Sequence, residues 1–237
     1  MAGIEHSVTE HFRSDLRNAC LEKSKVGVNA PLNGSDRVFN ADEFFAIGER
    51  FFLVEFKSGK YSLKAENKKD SACTLCRRLL SDPTMVTLHD QSHFAAWSTA
   101  PKDKIECQIG IYRSLVCCKE VMKDCIHVQH LSSSGKHSEA HAYLVDNIEA
   151  IGIEAKDFKT YVQWLMNNTD EEKKNDNLPL TLYTFSYTAG IKTVNFKTYS
   201  DLFDWSERVN KYSPAASPAA PTAAVQSKKP TKRKNQP

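Results

Sequence analysis

Long apolar runs are missing from this sequence. None approaches the ~18 residues that a membrane-spanning helix needs. The first ten residues, MAGIEHSVTE, also lack the apolar segment of a signal peptide. These absences predict an intracellular protein, cytoplasmic or nuclear, with no membrane partner.

Several catalytic signatures are absent as well. The chain contains no G-x-x-x-x-G-K-[ST], no G-x-G-x-x-G and no G-x-S-x-G. Nucleotide-driven motors, dinucleotide-dependent dehydrogenases and serine hydrolases of the G-x-S-x-G type therefore have no support. The composition is nevertheless that of an ordinary globular protein, with 41% hydrophobic residues and 10% aromatics, which is ample for a sizeable core.

The cysteines do not form a regular framework. There are seven, an odd number, which favours reduced thiols over disulfides in an intracellular chain. Cys73-x-x-Cys76 also raises the alternative of a zinc site, but a structural zinc site usually shows two closely spaced ligand pairs. A single C-x-x-C inside an expected helix is better explained by cysteines packed in the core.

Positive charge is concentrated in two places. The segment 213–237 is rich in Pro and Ala, carries five basic residues and no acidic one, and leaves the remainder of the chain at −2. This composition predicts a disordered basic tail. The second concentration, a run of basic side chains between residues 57 and 78, is a candidate surface for binding nucleic-acid phosphates. Contacts to phosphates contribute affinity but do not select a base sequence. The members of this run beyond residue 57 are Lys60, Lys64, Lys68, Lys69, Arg77 and Arg78.

The segment DEFFAIGERFFLVEFK, residues 42–57, predicts a β-hairpin. Gly48-Glu49 separates two runs of apolar residues, and glycine in the first turn position suits a two-residue loop. This register places Ile47 opposite Arg50 and Asp42 opposite Glu55. A three-residue loop is the alternative, and it would shift the pairing.

Three charged side chains then converge at one end of the hairpin. Asp42 and Glu55 face each other across the strands, and Lys57 lies on the same side because side chains alternate along a strand. Opposed carboxylates destabilise a sheet, and a hard divalent cation would offset that cost. The alternative without a catalytic role is an ordinary exposed strand end, where the charge of Lys57 balances the two carboxylates. Apolar residues on both faces of the second strand argue against it, because they indicate a buried central strand.

The pattern resembles the PD-(D/E)xK, or restriction-endonuclease-like, nuclease superfamily. The matching residues are Asp42, Glu55 and Lys57, and their spacing is similar to the Holliday-junction-resolvase branch. The resemblance covers roughly residues 6–100 and rests on the order helix, hairpin ending in E-x-K, helix, strand. Ala41 stands at the proline position of the motif, a proline that is poorly kept in the superfamily. The implied fold is α/β, with a helix, a mixed sheet containing a central hairpin, and a second helix.

The resemblance also implies the roles of the residues. Asp42 and Glu55, with the main-chain carbonyl of Phe56, would hold Mg²⁺ or Mn²⁺, and Lys57 would orient the attacking water and offset phosphate charge. Members often add an acidic residue from the first helix, for which Asp15 is the candidate, with Glu22 behind it. A later polar motif is not evident; the candidates for it are Arg77, Gln91 and His93.

The sequence thus predicts three regions, namely a nuclease-like core at 1–100, a mostly helical extension with a late hairpin at 101–212, and the tail. Helices are expected at 7–23, 70–80, 104–126, 139–151, 156–168 and 200–212, and strand structure at 85–97. The function implied is a metal-dependent endonuclease acting on DNA, alone, as a homodimer or in a larger complex. Two alternatives are a catalytically silent nucleic-acid-binding or assembly subunit on the same fold, and a protein-interaction subunit.

Overall fold

A computed structural model describes residues 2–32, 36–99, 106–169, 180–186 and 190–198, with residues 201 and 204. The predicted tail at 213–237 and nearly all of the predicted helix at 200–212 lie outside these residues. The helices, in chain order, are α1 Ala2–Glu22, α2 Asp36–Phe39, a 3₁₀ helix Lys60–Lys68, α3 Asp70–Leu80, α4 Pro83–Ser92, α5 Tyr112–Val116, a second 3₁₀ helix Ile126–Val128, α6 Ala140–Asn147 and α7 Ala155–Thr169. The strands are β1 Gly27–Pro31, β2 Glu43–Ile47, β3 Arg50–Lys57, β4 His93–Thr99, β5 Glu106–Ile111, β6 Ser138–Glu139, β7 Ile153–Glu154, β8 Leu180–Ser186 and β9 Gly190–Phe196.

The strands form one mixed sheet. Their order is β6-β5-β4-β3-β2-β1-β8-β9, and the short β7 pairs with one end of β3. Strand β3 is antiparallel to β2 and parallel to β4. The chain is therefore an α/β protein, as predicted, with β3 in the interior of the sheet.

Helices cover both faces of the sheet and create two cores. Phe52, Val54 and Phe56 point to a core shared with α1 and α6. Phe51 and Leu53 point to the other core, which α3, α5 and α7 help to build. Strand β3 is buried along nearly its whole length. This confirms the prediction of a buried central strand, whose apolar residues contact a core on each face of the sheet. Glu55 and Lys57, by strand alternation, belong to the second face.

The predicted hairpin register is confirmed along the whole β2–β3 ladder. Ile47 pairs with Arg50, and the pairing continues to Glu43 with Val54. Gly48, at the first turn position, has a φ of 58°, which a residue without a Cβ adopts at little cost. The two-residue loop, rather than the three-residue alternative, forms the turn.

Two predicted elements were wrong, the second only in its first part. The segment 104–126 was expected to be helical, but it holds β5, only five residues of α5 and then turns, because β5 completes the sheet beside β4. The segment 85–97 was expected to be strand structure, broken near residues 90–91, with 93–99 as the better strand. Its first part is α4, whereas the strand expected at 93–99 is confirmed as β4. Asp82 caps α4 by accepting a hydrogen bond from the Met85 N–H at 3.1 Å.

The sheet is continuous across the predicted boundary near residue 100. Strand β5 pairs with β4 on one side, and β8 pairs with β1 on the other. The late hairpin, predicted from alternation, is present as β8 and β9. Residues 112–169 are mostly helical and pack on a sheet to which both halves of the chain contribute strands.

The prediction of reduced cysteines was wrong for four of the seven. Cys73 is bonded to Cys125, and Cys76 is bonded to Cys117. Cys73 and Cys76 lie one turn apart on α3, so both face the segment that follows α5. Cys20, Cys107 and Cys118 are free and buried, as expected for core thiols. The two bonds tie α3 to the 117–125 segment.

None of the helices in the described part of the chain is both long and apolar enough to span a bilayer. The predicted cellular location stays a prediction.

Candidate active site

Asp42 lies at the end of the hairpin, just before β2. Its backbone N–H donates to the Val54 carbonyl at 3.0 Å, although Val54 is the partner of Glu43. Asp42 and Glu43 thus both lie opposite Val54, as in a β-bulge, and a bulge changes the direction of the side chains beside it. The Asp42 carboxylate accepts a hydrogen bond from the Phe56 N–H at 2.6 Å. The predicted position directly opposite Glu55 is therefore displaced toward Phe56, but the carboxylate stays at the same end of the hairpin.

The turn before Asp42 is held by a buried hydrogen-bonded chain. Arg113 N–H donates to His89 Nε2 at 3.2 Å, so His89 carries its proton on Nδ1 and donates it to Tyr161 Oη at 2.6 Å. The Tyr161 hydroxyl then donates to His93 Nδ1 at 2.8 Å, and His93 Nε2–H donates to the Asn40 carbonyl at 3.0 Å. Burial lowers the pKa of both histidines, which keeps them neutral.

Asn40 itself occupies a left-handed conformation. Its φ is 49°, a region that asparagine tolerates better than most residues. Its side-chain Oδ1 accepts a hydrogen bond from Ser71 Oγ at 2.7 Å, which ties it to α3. The backbone direction that delivers Asp42 to the hairpin end is thus fixed by contacts from two elements distant in sequence.

Glu55 and Lys57 belong to a buried cluster with Glu66 and Lys69. Lys57 Nζ contacts the Glu55 carboxylate and lies 3.0 Å from Glu66 Oε1. Lys69 Nζ lies 2.6 Å from Glu55 Oε1 and 2.9 Å from Glu66 Oε1. The hydroxyl of Tyr112 donates to Glu66 Oε2 at 2.8 Å. Glu55 and Glu66 are fully buried, and the side chain of Lys69, 28% exposed, is the most accessible part of the cluster.

The charges do not cancel. Together with Asp42 the site holds three carboxylates and two ammonium groups, so full ionisation leaves one excess negative charge. Burial, assisted by the charges of Asp42 and Glu66, raises the pKa of Glu55 to about 8. Lys57 and Lys69 overcome the effect of burial on Glu66 and hold its pKa at about 2. One proton therefore resides on Glu55 near neutrality, while Glu66 is ionised.

Lys57 is a cation in this environment. Burial by itself would lower its pKa, but the carboxylates of Glu55 and Glu66 raise it above its ordinary value. The pKa of Asp42 is raised by burial, and the Phe56 hydrogen bond and the two lysines counter part of that effect. Lys57 can thus supply positive charge and hydrogen bonds, but it is not available as a proton acceptor.

Two carboxylate oxygens of the cluster have no hydrogen-bond partner, Glu55 Oε2 and Glu66 Oε1, and only the second lies within ion-pair distance of both ammonium groups. Glu55 Oε2 is buried and has no hydrogen-bond partner, which is costly for an ionised carboxylate. A proton satisfies this oxygen at neutral pH, and a divalent cation would replace that proton. Asp42 and Glu55 thus fit the expected cation in charge and in donor type.

Within the described ranges, no group of three or more His, Cys, Asp or Glu side chains is arranged to hold a metal ion. Mg²⁺ usually takes only one or two protein carboxylates and completes its shell with water and substrate phosphates. A pair such as Asp42 and Glu55 is consistent with that pattern. The carbonyl of Phe56, between Glu55 and Lys57, remains a predicted ligand.

Asp15, the predicted further acidic residue, does not lie in the cluster around Glu55 and Lys57. Helix α1 packs on the opposite face of the sheet from Glu55 and Lys57. The Asp15 carboxylate lies 3.6 Å from His11 Nε2, and its pKa is raised by burial among neighbours that include Glu139. Glu66 is the acid that joins the site. The sequence placed it in a basic stretch, where nothing distinguished it from a surface residue.

The predicted phosphate-binding residues divide into two groups. Lys69 is half-buried and engaged with Glu55 and Glu66, so it is part of the site rather than of a free basic surface. The others have exposed side chains, namely Lys60, Lys64, Lys68, Arg77 and Arg78. Among the candidates for a later motif, Arg77 and Gln91 are exposed and only His93 reaches the site, through Asn40.

No protein-family model matches the chain, and neither a curated protein nor a solved structure matches it significantly.

Proposed function

We propose that this protein is a Mg²⁺- or Mn²⁺-dependent endonuclease that hydrolyses phosphodiester bonds in DNA, on a restriction-endonuclease-like core. The observation that carries the proposal is the convergence of Asp42, Glu55 and Lys57 at one end of a buried hairpin, with Glu55 Oε2 lacking any protein donor. Strongly raised pKa values and unsatisfied buried atoms cluster at functional sites, which supports a catalytic use of Glu55.

Each residue has a role that its environment supports. Asp42 and Glu55, with the Phe56 carbonyl, would hold the cation, which would polarise the phosphoryl group and lower the pKa of a bound water. Lys57, kept cationic by its two carboxylate neighbours, offsets charge on the phosphate and orients the attacking water. Glu66 holds Lys57 in place, and the Tyr112 hydroxyl in turn fixes Glu66.

Lys69 governs access to the cluster. It contacts the same two carboxylates as Lys57, but its side chain is the more exposed of the two. A phosphate arriving at the site would compete for this ammonium group and draw it away from Glu55. The exposed Lys68, next to it in sequence, offers a further contact for the nucleic-acid backbone.

The test is cleavage of supercoiled plasmid and of single-stranded DNA with Mg²⁺ or Mn²⁺. We expect Glu55→Gln, Asp42→Asn and Lys57→Met to reduce the rate at least ~100-fold, the magnitude typical for loss of one charge-stabilising group. Glu43→Gln is the matched control, because Glu43 is an equally buried carboxylate beside Asp42 that faces the other core and pairs with Arg13. Equal activity of all four variants and the wild type would refute the proposal.

A second candidate is a silent nucleic-acid-binding subunit on the same fold. It is favoured by one observation, namely that both ammonium groups of the buried cluster are already paired with carboxylates. Under this candidate, the wild type binds DNA with strong salt dependence but does not cleave it with either cation. Glu55→Gln would then leave the affinity unchanged.

A further inference from the structure

A surface pocket lies beside the candidate active site on the same 3₁₀ helix. Its volume is about 480 Å³, within the ordinary range for small-ligand sites. One wall is the start of the 3₁₀ helix Lys60–Lys68, and the other walls come from the turns after α5 and around residue 135. The lining is formed by Lys60, Tyr61, Leu63, Lys64, Leu115, Glu120, Val121, Ser133 and Gly135.

The 3₁₀ helix joins the pocket to the site directly. Side chains three residues apart lie in line on such a helix, so Lys60, Leu63 and Glu66 form one row. Lys60 and Leu63 line the pocket, and Glu66 belongs to the buried charge cluster. At a rise of ~2.0 Å per residue, the pocket end of this row lies about 12 Å from Glu66. That distance corresponds to three to four nucleotides at the ~3.4 Å axial rise of a strand in duplex DNA, and to fewer in a more extended single strand.

The pocket combines an exposed aromatic ring with positive charge. Tyr61 is 84% exposed, and Lys64 Nζ lies 5.4 Å from the centre of its ring, a cation–π contact. The floor is apolar, with Leu63 buried beneath it. A flat ring at the mouth of an apolar pocket, flanked by lysines, is the combination that single-stranded nucleic acids use, because bases stack and phosphates pair.

The two rims of the pocket carry opposite charges. Lys60 and Lys64 lie on one side, whereas Glu120 lies on the other and accepts a hydrogen bond from the Ser133 N–H at 3.1 Å. A phosphate backbone would follow the lysine rim and avoid Glu120, which directs the base inward over Leu63. The opposite wall is prearranged, because the Cys76–Cys117 disulfide ties the segment between Leu115 and Val121 to α3.

We propose that this pocket takes an unpaired nucleobase of single-stranded nucleic acid, a few nucleotides from the bond to be cleaved. The inference rests on the proposed nuclease function and specifies its substrate as nucleic acid with a single-stranded region beside the scissile phosphate. A base held in a duplex is stacked and paired and cannot enter the pocket.

Binding is measured separately from cleavage, on the full-length protein in EDTA. The probes are fluorescent oligo(dT) and oligo(U) of about 16 nucleotides, the upper site size of a single-strand-binding module, and a DNA duplex of equal length, followed by fluorescence anisotropy. We expect Tyr61→Ala to weaken single-strand binding about 5- to 150-fold, the effect of losing one stacked base. Tyr61→Phe should retain the affinity. Lys60→Ala should reduce the salt slope by ~0.7.

The control is Ile126→Ala, which removes another exposed apolar side chain, 78% exposed, outside the pocket lining. Tyr61-dependent binding of oligo(dT), of oligo(U) or of both supports the inference and decides between DNA and RNA. Unchanged single-strand affinity in Tyr61→Ala overturns it, as does an equal loss on the duplex. Because EDTA prevents metal-dependent cleavage, these outcomes are independent of the Glu55→Gln cleavage test, and either proposal can fail while the other survives.

Discussion

Removing the Glu55 carboxylate should stabilise the protein at alkaline pH while abolishing its proposed activity. The pKa of Glu55 is raised from 4.5 to about 8, chiefly by burial. Between these values the folded protein holds a proton that the unfolded chain releases, so stability falls as the pH rises through this window. Glu55→Gln places a permanently neutral group of similar shape at the same position, and its stability should lack this loss.

The magnitude follows from the shift. One pKa unit corresponds to about 1.4 kcal/mol, so a change from 4.5 to about 8 costs the folded state about 1 kcal/mol at pH 5 and about 4 kcal/mol at pH 8. Glu66 contributes in the opposite sense, because its pKa is lowered to about 2. Its stabilisation is complete above the unfolded pKa of 4.5 and is lost only as the pH falls below that value. It is therefore constant across the window of Glu55.

The measurement is urea denaturation of the wild type and Glu55→Gln in EDTA, at intervals from pH 5 to pH 8. The lowered pKa values of the buried His89 and His93 destabilise the fold below pH 6.5, but they do so in both proteins and cancel in the difference. We expect the variant to gain about 3 kcal/mol relative to the wild type across this range. A difference that does not change with pH, or a variant several kcal/mol less stable at pH 8, would refute a proton on Glu55.

Three further outcomes are expected. Tyr112→Phe removes the donor to the buried Glu66 carboxylate and should lower the free energy of unfolding by about 1.5–3 kcal/mol; no change in urea denaturation would contradict this contact. Asn40→Ala should be less stable than Asn40→Gly by about 1–2 kcal/mol, because φ at this position is 49°; equal thermal stability would show that the left-handed conformation is absent. In denaturant without reductant, thiol titration should find three of the seven cysteines reactive. Reduction should expose all seven and destabilise the fold by at least about 4 kcal/mol, the contribution of the 41-residue loop alone. Seven reactive thiols before reduction would exclude both disulfides.

The parts of the fold that were predictable are those that local sequence determines. The β2–β3 register follows from Gly48 and from the alternation of apolar side chains on either side of it. The bounds of α3 follow from its apolar stripe and the Ser-Asp-Pro that ends it. The late hairpin follows from the same alternation.

The errors concern long-range partners. Strand β5 looks helical in isolation and becomes a strand because β4 offers it an edge. Glu66 lies in the site because the 3₁₀ helix directs its side chain toward Lys57. Asp15 lies outside the site because α1 packs on the opposite face of the sheet. The disulfides join residues 41 and 52 positions apart. No local sequence pattern predicts these contacts.

The chain of hydrogen bonds through Tyr161 has a consequence for the order of assembly during synthesis. Tyr161 lies 68 residues after His93 and belongs to α7, the last of the long helices described. Until the ribosome has released α7, the two histidines lack the hydroxyl between them, and the carbonyl of Asn40 lacks an oriented donor. The turn that aims Asp42 is therefore completed late, after the hairpin, α3 and β4 have already emerged. A nascent or truncated chain ending before residue 161 would lack one of the contacts that orient the turn before Asp42, so the proposed cleavage activity would be complete only once α7 is in place.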